Sequence, residues 1–107
     1  MERYEWEVRY TKASRKDIKH LREPVVSHVY AAIKKISSNP LPMTEGGYGK
    51  PLGNKHGNNL TGLLKIKLRG DGVRVVYRLE RHEHAMTIVI VSVRDNDAVY
   101  REAAKRI

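Results

Sequence analysis

The stretch from residue 63 to residue 80, LLKIKLRGDGVRVVYRLE, leaves a chain few ways to fold. Apolar and basic residues alternate on both sides of Gly70-Asp71-Gly72 with the period of two that belongs to strands with unlike faces. Gathering Leu64, Ile66 and Leu68 with Val73, Val75, Tyr77 and Leu79 on one face requires a hairpin in a single register. A two-residue Gly70-Asp71 loop gives that register, pairing Arg69 with Gly72, Leu68 with Val73 and Lys67 with Arg74. Glycine in the first loop position predicts a type II′ turn. A three-residue loop would set Arg69 opposite Val73 and mix charge with apolar surface on both faces. Lys65, Lys67, Arg69, Arg74 and Arg78 therefore share the second face, away from the helices, with Lys67 and Arg74 directly opposite.

Like charges opposite each other across strands cost about 0.2–1 kcal/mol per pair. Antiparallel sheets routinely keep one wet face, so alternation alone is compatible with an ordinary solvated surface. The one-sided sign asks for more. From Tyr48 to Arg81 eight basic residues face only Asp71 and Glu80, and the whole chain carries 21 Lys and Arg against 12 Asp and Glu, a formal charge of +9. Such an excess points to an anionic partner: nucleic acid, an acidic protein segment or a membrane surface. The absence of cysteine excludes disulfides, thiolate metal sites and cysteine nucleophiles. No apolar run approaches the roughly 18 residues that span a bilayer. MERYEWEVRY also lacks the apolar core of a signal peptide, so the expected location is the cytoplasm. A length of 107 residues predicts one domain, 1–107, with one core.

Upstream, Tyr4, Trp6, Val8 and Tyr10 alternate with Glu5, Glu7 and Arg9, predicting a strand over 4–10. From Thr11 the spacing becomes helical as far as Leu21, with Thr11 or Ser14 as N-cap. Pro24 suits the first turn of a second helix whose inner face is Val25, Val29, Ile33 and Ile36, and which stops before SSNPLP. The two helices are expected to pack as a hairpin across one face of the sheet. Residues 40–62 hold six glycines and three of the four prolines and are expected to be loop. Strands over 63–69, 73–80 and 86–93 follow, and DAVYREAAKRI closes the chain as a short helix capped by Asp97. The expected fold is α+β, in the order β-α-α-β-β-β-α, with an antiparallel C-terminal meander.

The cationic face suggests a chemistry. RNA carries its own nucleophile, the 2′-hydroxyl, so a protein needs only to take that proton, stabilise the charged phosphorane and align the atoms in line. Arginine stays protonated and serves only for charge. A lysine crowded by cations has its ammonium form disfavoured, which leaves Lys65 and Lys67 as the possible bases. Lys67, opposite Arg74, is assigned the proton and Lys65 a stabilising role. The products would be a 2′,3′-cyclic phosphate and a 5′-hydroxyl, with no metal and no cofactor required. His82 and His84 lie two apart in a turn and would need further ligands to hold a metal. His20, His28 and His56 read as surface residues, Tyr77 as core, and Tyr100 by spacing alone as a half-buried helix residue.

The order of elements, with KIKLR, VRVVYRL, IVIVSVR and VYREAAKRI, resembles the RelE toxins of the RelE/ParE superfamily, the toxic halves of type II toxin–antitoxin pairs. The resemblance spans nearly the whole chain and is strongest from residue 63 onward. It implies a ribosome-dependent endoribonuclease that cuts messenger RNA in the decoding site. It further implies acid–base and electrostatic roles for Lys65 and Lys67, and a grip on the scissile phosphate for Arg74. Arg94 would act near the end of the last strand, and Tyr100 would stack on a codon base. RDNDAV, before Tyr100, is shorter and more acidic than in typical members. A RelB-type antitoxin with an acidic amphipathic or disordered segment is the implied partner. Two other functions are the alternatives: a ParE-like inhibitor of DNA gyrase, a branch whose members generally lack the full Lys, Lys, Arg, Arg, Tyr set, and a basic RNA-binding module without activity.

Overall fold

The computed structural model describes residues 5–55 and 57–107. Tyr4, expected in the first strand, and His56, expected in the loop, lie outside the described residues. Among these the chain runs β1 (Glu7–Tyr10), α1 (Lys12–Lys19), α2 (Val25–Ser37), β2 (Lys50–Lys55), β3 (Asn58–Leu68), β4 (Val73–Glu80), β5 (Ala85–Ser92) and α3 (Asn96–Arg106). The strands form one sheet in the order β1-β5-β4-β3-β2, with β1 parallel to β5 and the other pairs antiparallel. This is the α+β architecture expected from the sequence, with β2 in addition.

The helical hairpin forms for the reasons its sequence suggests. Thr11 caps α1, its Oγ1 accepting the Ser14 N–H at 3.0 Å. Val29, Ile33 and Ile36 recur at helical spacing along α2 and are buried with Ile18 of α1. They pack on Leu64, Val73, Val75, Tyr77, Met86 and Ile88, the face assembled by the β3–β4 register. Each fully buried aliphatic side chain there is worth about 1.5–3 kcal/mol.

The opposite face is not open, contrary to expectation. Val99, Tyr100 and Ala103 of α3 pack on Leu52, Leu60, Leu63, Val76, Val89 and Ile90. One extra residue on β5 shapes this contact: Val76 pairs with Ile90 but Tyr77 with Ile88. The bulge lets β5 turn Met86, Ile88 and Val91 to the helical hairpin and Val89 and Ile90 to α3. Covered on both sides, β5 is buried from Ala85 to Val91.

The expected loop over 40–62 is largely structured. It contains a 3₁₀ turn at Met43–Glu45, all of β2 and the first residues of β3. Glycine and proline disguise an edge strand, where a missing donor costs little; Pro51 adjoins a register irregularity that ends at Gly53, a left-handed residue at φ 58°. Burial of Leu52 and Leu60 fixes the hairpin beneath α3.

Three boundaries also move. The chain at Trp6 is not yet strand, because its N–H goes to the Ser37 carbonyl (2.9 Å) and its ring stacks on His84. The β3–β4 connection keeps Lys67 opposite Arg74 and Leu68 opposite Val73, but it is a four-residue turn over 69–72. The left-handed residue is Gly72, at φ 67°, and not Gly70, so no type II′ turn forms. Asp71 bends toward α2 in this wider turn, its carboxylate 2.9 Å from His28 Nδ1. The N-cap of α3 is Asp95 instead of Asp97, since the Asp95 carboxylate accepts the Ala98 N–H at 2.8 Å. Asp97 falls in the first turn, where a carboxylate favours the helix dipole.

Candidate nucleic-acid interface

Adjacent strands bring the predicted cations together, and α3 completes the cluster. Lys67 and Arg74 are register partners, which places their Cα atoms about 5 Å apart on one face. Arg74 is half-buried: its Nε donates to Asn96 Oδ1 at 2.6 Å and its Nη1 to the Arg94 carbonyl at 2.7 Å and the Gly72 carbonyl at 3.4 Å. Lys65 is only 9% exposed, its Nζ donating to the Tyr100 hydroxyl at 2.9 Å and to Asn96 Oδ1 at 3.4 Å. Lys67 stays in solvent. These hydrogen bonds end on neutral oxygens, so they hold the two side chains without cancelling their charge.

The other site residues take separate places. Arg94 joins the cluster through its backbone carbonyl, while the residue itself is exposed. Tyr100 is 4% exposed, and a ring buried in the α3 cluster offers no face to a base in this arrangement; what it presents to the site is its hydroxyl. Arg78 donates to Glu80 at 2.8 Å and stands four residues, about 13 Å, along β4 from Arg74. Arg69, exposed in the turn, lines a groove with Lys67.

That groove, about 420 Å³, opens where β2 begins at Lys50, opposite Lys65, beyond which the outer edge of β3 has no strand partner. Lys35, Tyr48, Lys50, Lys65, Lys67 and Arg69 surround a floor that includes Ile66 and Leu68, and no acidic residue lines it. Tyr48 is half exposed, with the Lys35 ammonium 5.5 Å from its ring centre.

Asn96 was not singled out in the sequence. The available signal was an uncharged amide between Asp95 and Asp97 at the start of the last helix. Among the described residues no three His, Asp or Glu side chains gather as metal ligands, and no helix is long and apolar enough to cross a membrane.

No protein-family model and no curated protein sequence matches the chain. Solved structures do. A double mutant of the E. coli RelE toxin in the free state superimposes with a TM-score of 0.75 at 21% identity, covering 97% of this chain and 99% of the other. The toxin–antitoxin complex RelBE from Mycobacterium tuberculosis gives 0.69 at 23% identity, covering 87% and 95%. The intact E. coli RelBE toxin–antitoxin complex gives 0.63 at 18% identity, covering 85% and 99%. The parallel β1–β5 pair, the antiparallel meander and the helices on its two faces thus make up the fold of the RelE toxins.

Proposed function

We propose that residues 1–107 act as one domain, the toxin component of a type II toxin–antitoxin pair, and cut messenger RNA in the ribosomal decoding site. The observation that carries this reading is the pairing of Lys67 with Arg74 on one face, with Lys65 two residues along β3 from Lys67 and linked to Arg74 through the shared Asn96 oxygen. Lys67, the solvent-facing member, takes the 2′ proton; O2′ bonds to phosphorus as the P–O5′ bond breaks, and the departing 5′-oxygen is protonated from solvent. Arg74 and Lys65 stabilise the dianionic phosphorane. The scheme uses no metal, and it yields a 2′,3′-cyclic phosphate and a 5′-hydroxyl.

The proposed partner is a RelB-type antitoxin. The solved complexes of similar fold hold such a pair, and the cation-rimmed groove at the free edge of β3 suits an acidic, extended segment. The cytoplasm, where ribosomes translate, is the proposed location. Mapping transcript ends in translating extracts tests the reading. Cuts inside translated codons that disappear with Lys67→Ala and Arg74→Ala are expected, whereas intact transcripts beside folded wild-type protein overturn it, and arrested gyrase in the same assay favours a ParE-like action.

A further inference from the structure

Asn96 begins α3, one residue after the Asp95 cap, and its Oδ1 receives both Arg74 Nε (2.6 Å) and Lys65 Nζ (3.4 Å). Those cations come from different strands and have no reason of their own to converge. Like charges move apart unless something holds them, and the side chains are long. A shared acceptor draws the two together. We propose that Asn96 is a positioning residue, which sets Arg74 and Lys65 toward one phosphate while leaving both charges uncancelled.

The chemistry of the acceptor supports this. A carboxylate in the same place would form a charge-assisted, partly buried pair with Arg74 and compete with the phosphate it should bind. An amide oxygen takes the same hydrogen bonds and adds no charge. Arg74 is fixed through Nε and Nη1, and Nη2 has no hydrogen-bond partner among the described residues, which leaves that corner of the guanidinium for an anion. Lys65 is oriented in the same way by the Tyr100 hydroxyl on its other side. The cap at Asp95 matters indirectly: by fixing the start of α3, it fixes where the Asn96 oxygen sits.

This inference rests on the reading of the cluster as an RNA site, and the test separates the two. An uncleavable oligoribonucleotide, 2′-deoxy at the cut position, is titrated at several salt concentrations with wild type and Asn96→Asp, a near-isosteric change at a helix start that favours acids. The aspartate variant is expected to bind more weakly, with the slope of log K against log salt reduced by about 0.7 for each phosphate that is no longer neutralised. Asn96→Ala leaves the charge and so the slope unchanged, and is expected to slow single-turnover cleavage by about 100-fold through misplacement of the two cations. Wild-type affinity and slope in Asn96→Asp, or wild-type cleavage in Asn96→Ala, overturns the proposal. If the wild type binds but never cuts, the nuclease reading fails and the binding comparison still decides the role of Asn96.

Discussion

The Lys65 ammonium, nearly buried beneath α3, donates to the Tyr100 hydroxyl at 2.9 Å. A charge taken out of water depends on every oxygen it retains. Tyr100→Phe removes one and is expected to destabilise the protein by about 1–3 kcal/mol. Thermal melts would register this as a drop of about 4 °C or more. The pair Lys65→Met with Tyr100→Phe should melt higher than Tyr100→Phe alone, because no buried charge is then left behind. A Tyr100→Phe protein that melts with the wild type would contradict the role given to this hydrogen bond.

Exposed cations are expected to divide by place. Lys67→Ala and Arg69→Ala should each reduce the salt slope of single-stranded RNA binding by about 0.7. Arg78→Ala should change it less, since Glu80 already pairs with that guanidinium and the residue lies at the far end of β4. Fluorescence anisotropy across a salt series measures all three, and equal slopes for Arg78→Ala and Lys67→Ala would refute the division.

Arg106 and Asp17 finish a sheet edge that β1 leaves incomplete. Strand pairing between β1 and β5 ends at Ile88; beyond it Asp17 accepts the Val91 N–H at 3.0 Å, and Arg106 Nη1 donates to the Val89 carbonyl at 2.8 Å and to Asp17 at 2.7 Å. The Asp17 carboxylate holds the Arg106 guanidinium above its usual pKa. Asp17→Ala is expected to cost about 1–3 kcal/mol for the orphaned donor and to speed exchange of the Val91 amide. Unchanged exchange at Val91 would show that the contact carries no weight.

Tyr77 predicts a pH effect. Its hydroxyl donates to the Pro40 carbonyl at 2.7 Å, and burial pushes the phenol above its ordinary value. Folded protein then keeps a proton that the unfolded chain gives up near pH 10. The stability contribution is therefore complete below about pH 10 and declines as the pH rises past it. Tyr77→Phe should lose about 1 kcal/mol at neutral pH and show a shallower alkaline decline, as read by denaturant titration at pH 7 and pH 11. Gly49→Ala should disturb the same bond, because a Cβ there would overlap the Tyr77 hydroxyl.

Much of this was legible in the residues. The alternation through 63–80 is strong enough to set the β3–β4 register, because one face had to be buried, and the Val29-Ile33-Ile36 spacing marks α2 for the same reason. What failed depended on partners distant in sequence. β2 is a strand because Leu52 and Leu60 lie beneath α3, a contact that no local pattern announces in a segment rich in Gly, Pro and Asn. The dry side of the cationic face was hidden likewise: Val76 and Leu63 share it with Arg74 and Lys65, and α3 covers them only in the folded chain. Parity placed Lys65, Lys67 and Arg74 on one face, whereas the contacts of Asn96 arise only once α3 is folded over β3.

The start of β2 at Lys50 has a bearing on how the protein lives in company. Past Lys65 the outer edge of β3 has no strand partner over residues 66–68, a short open edge of the kind that can pair with another chain. Lys67 and Arg69 lie along it, and charged side chains on a sheet edge oppose pairing between copies. Substitutions of those side chains made to test the proposed activity would remove that protection as well, so the variant is better made at Arg74.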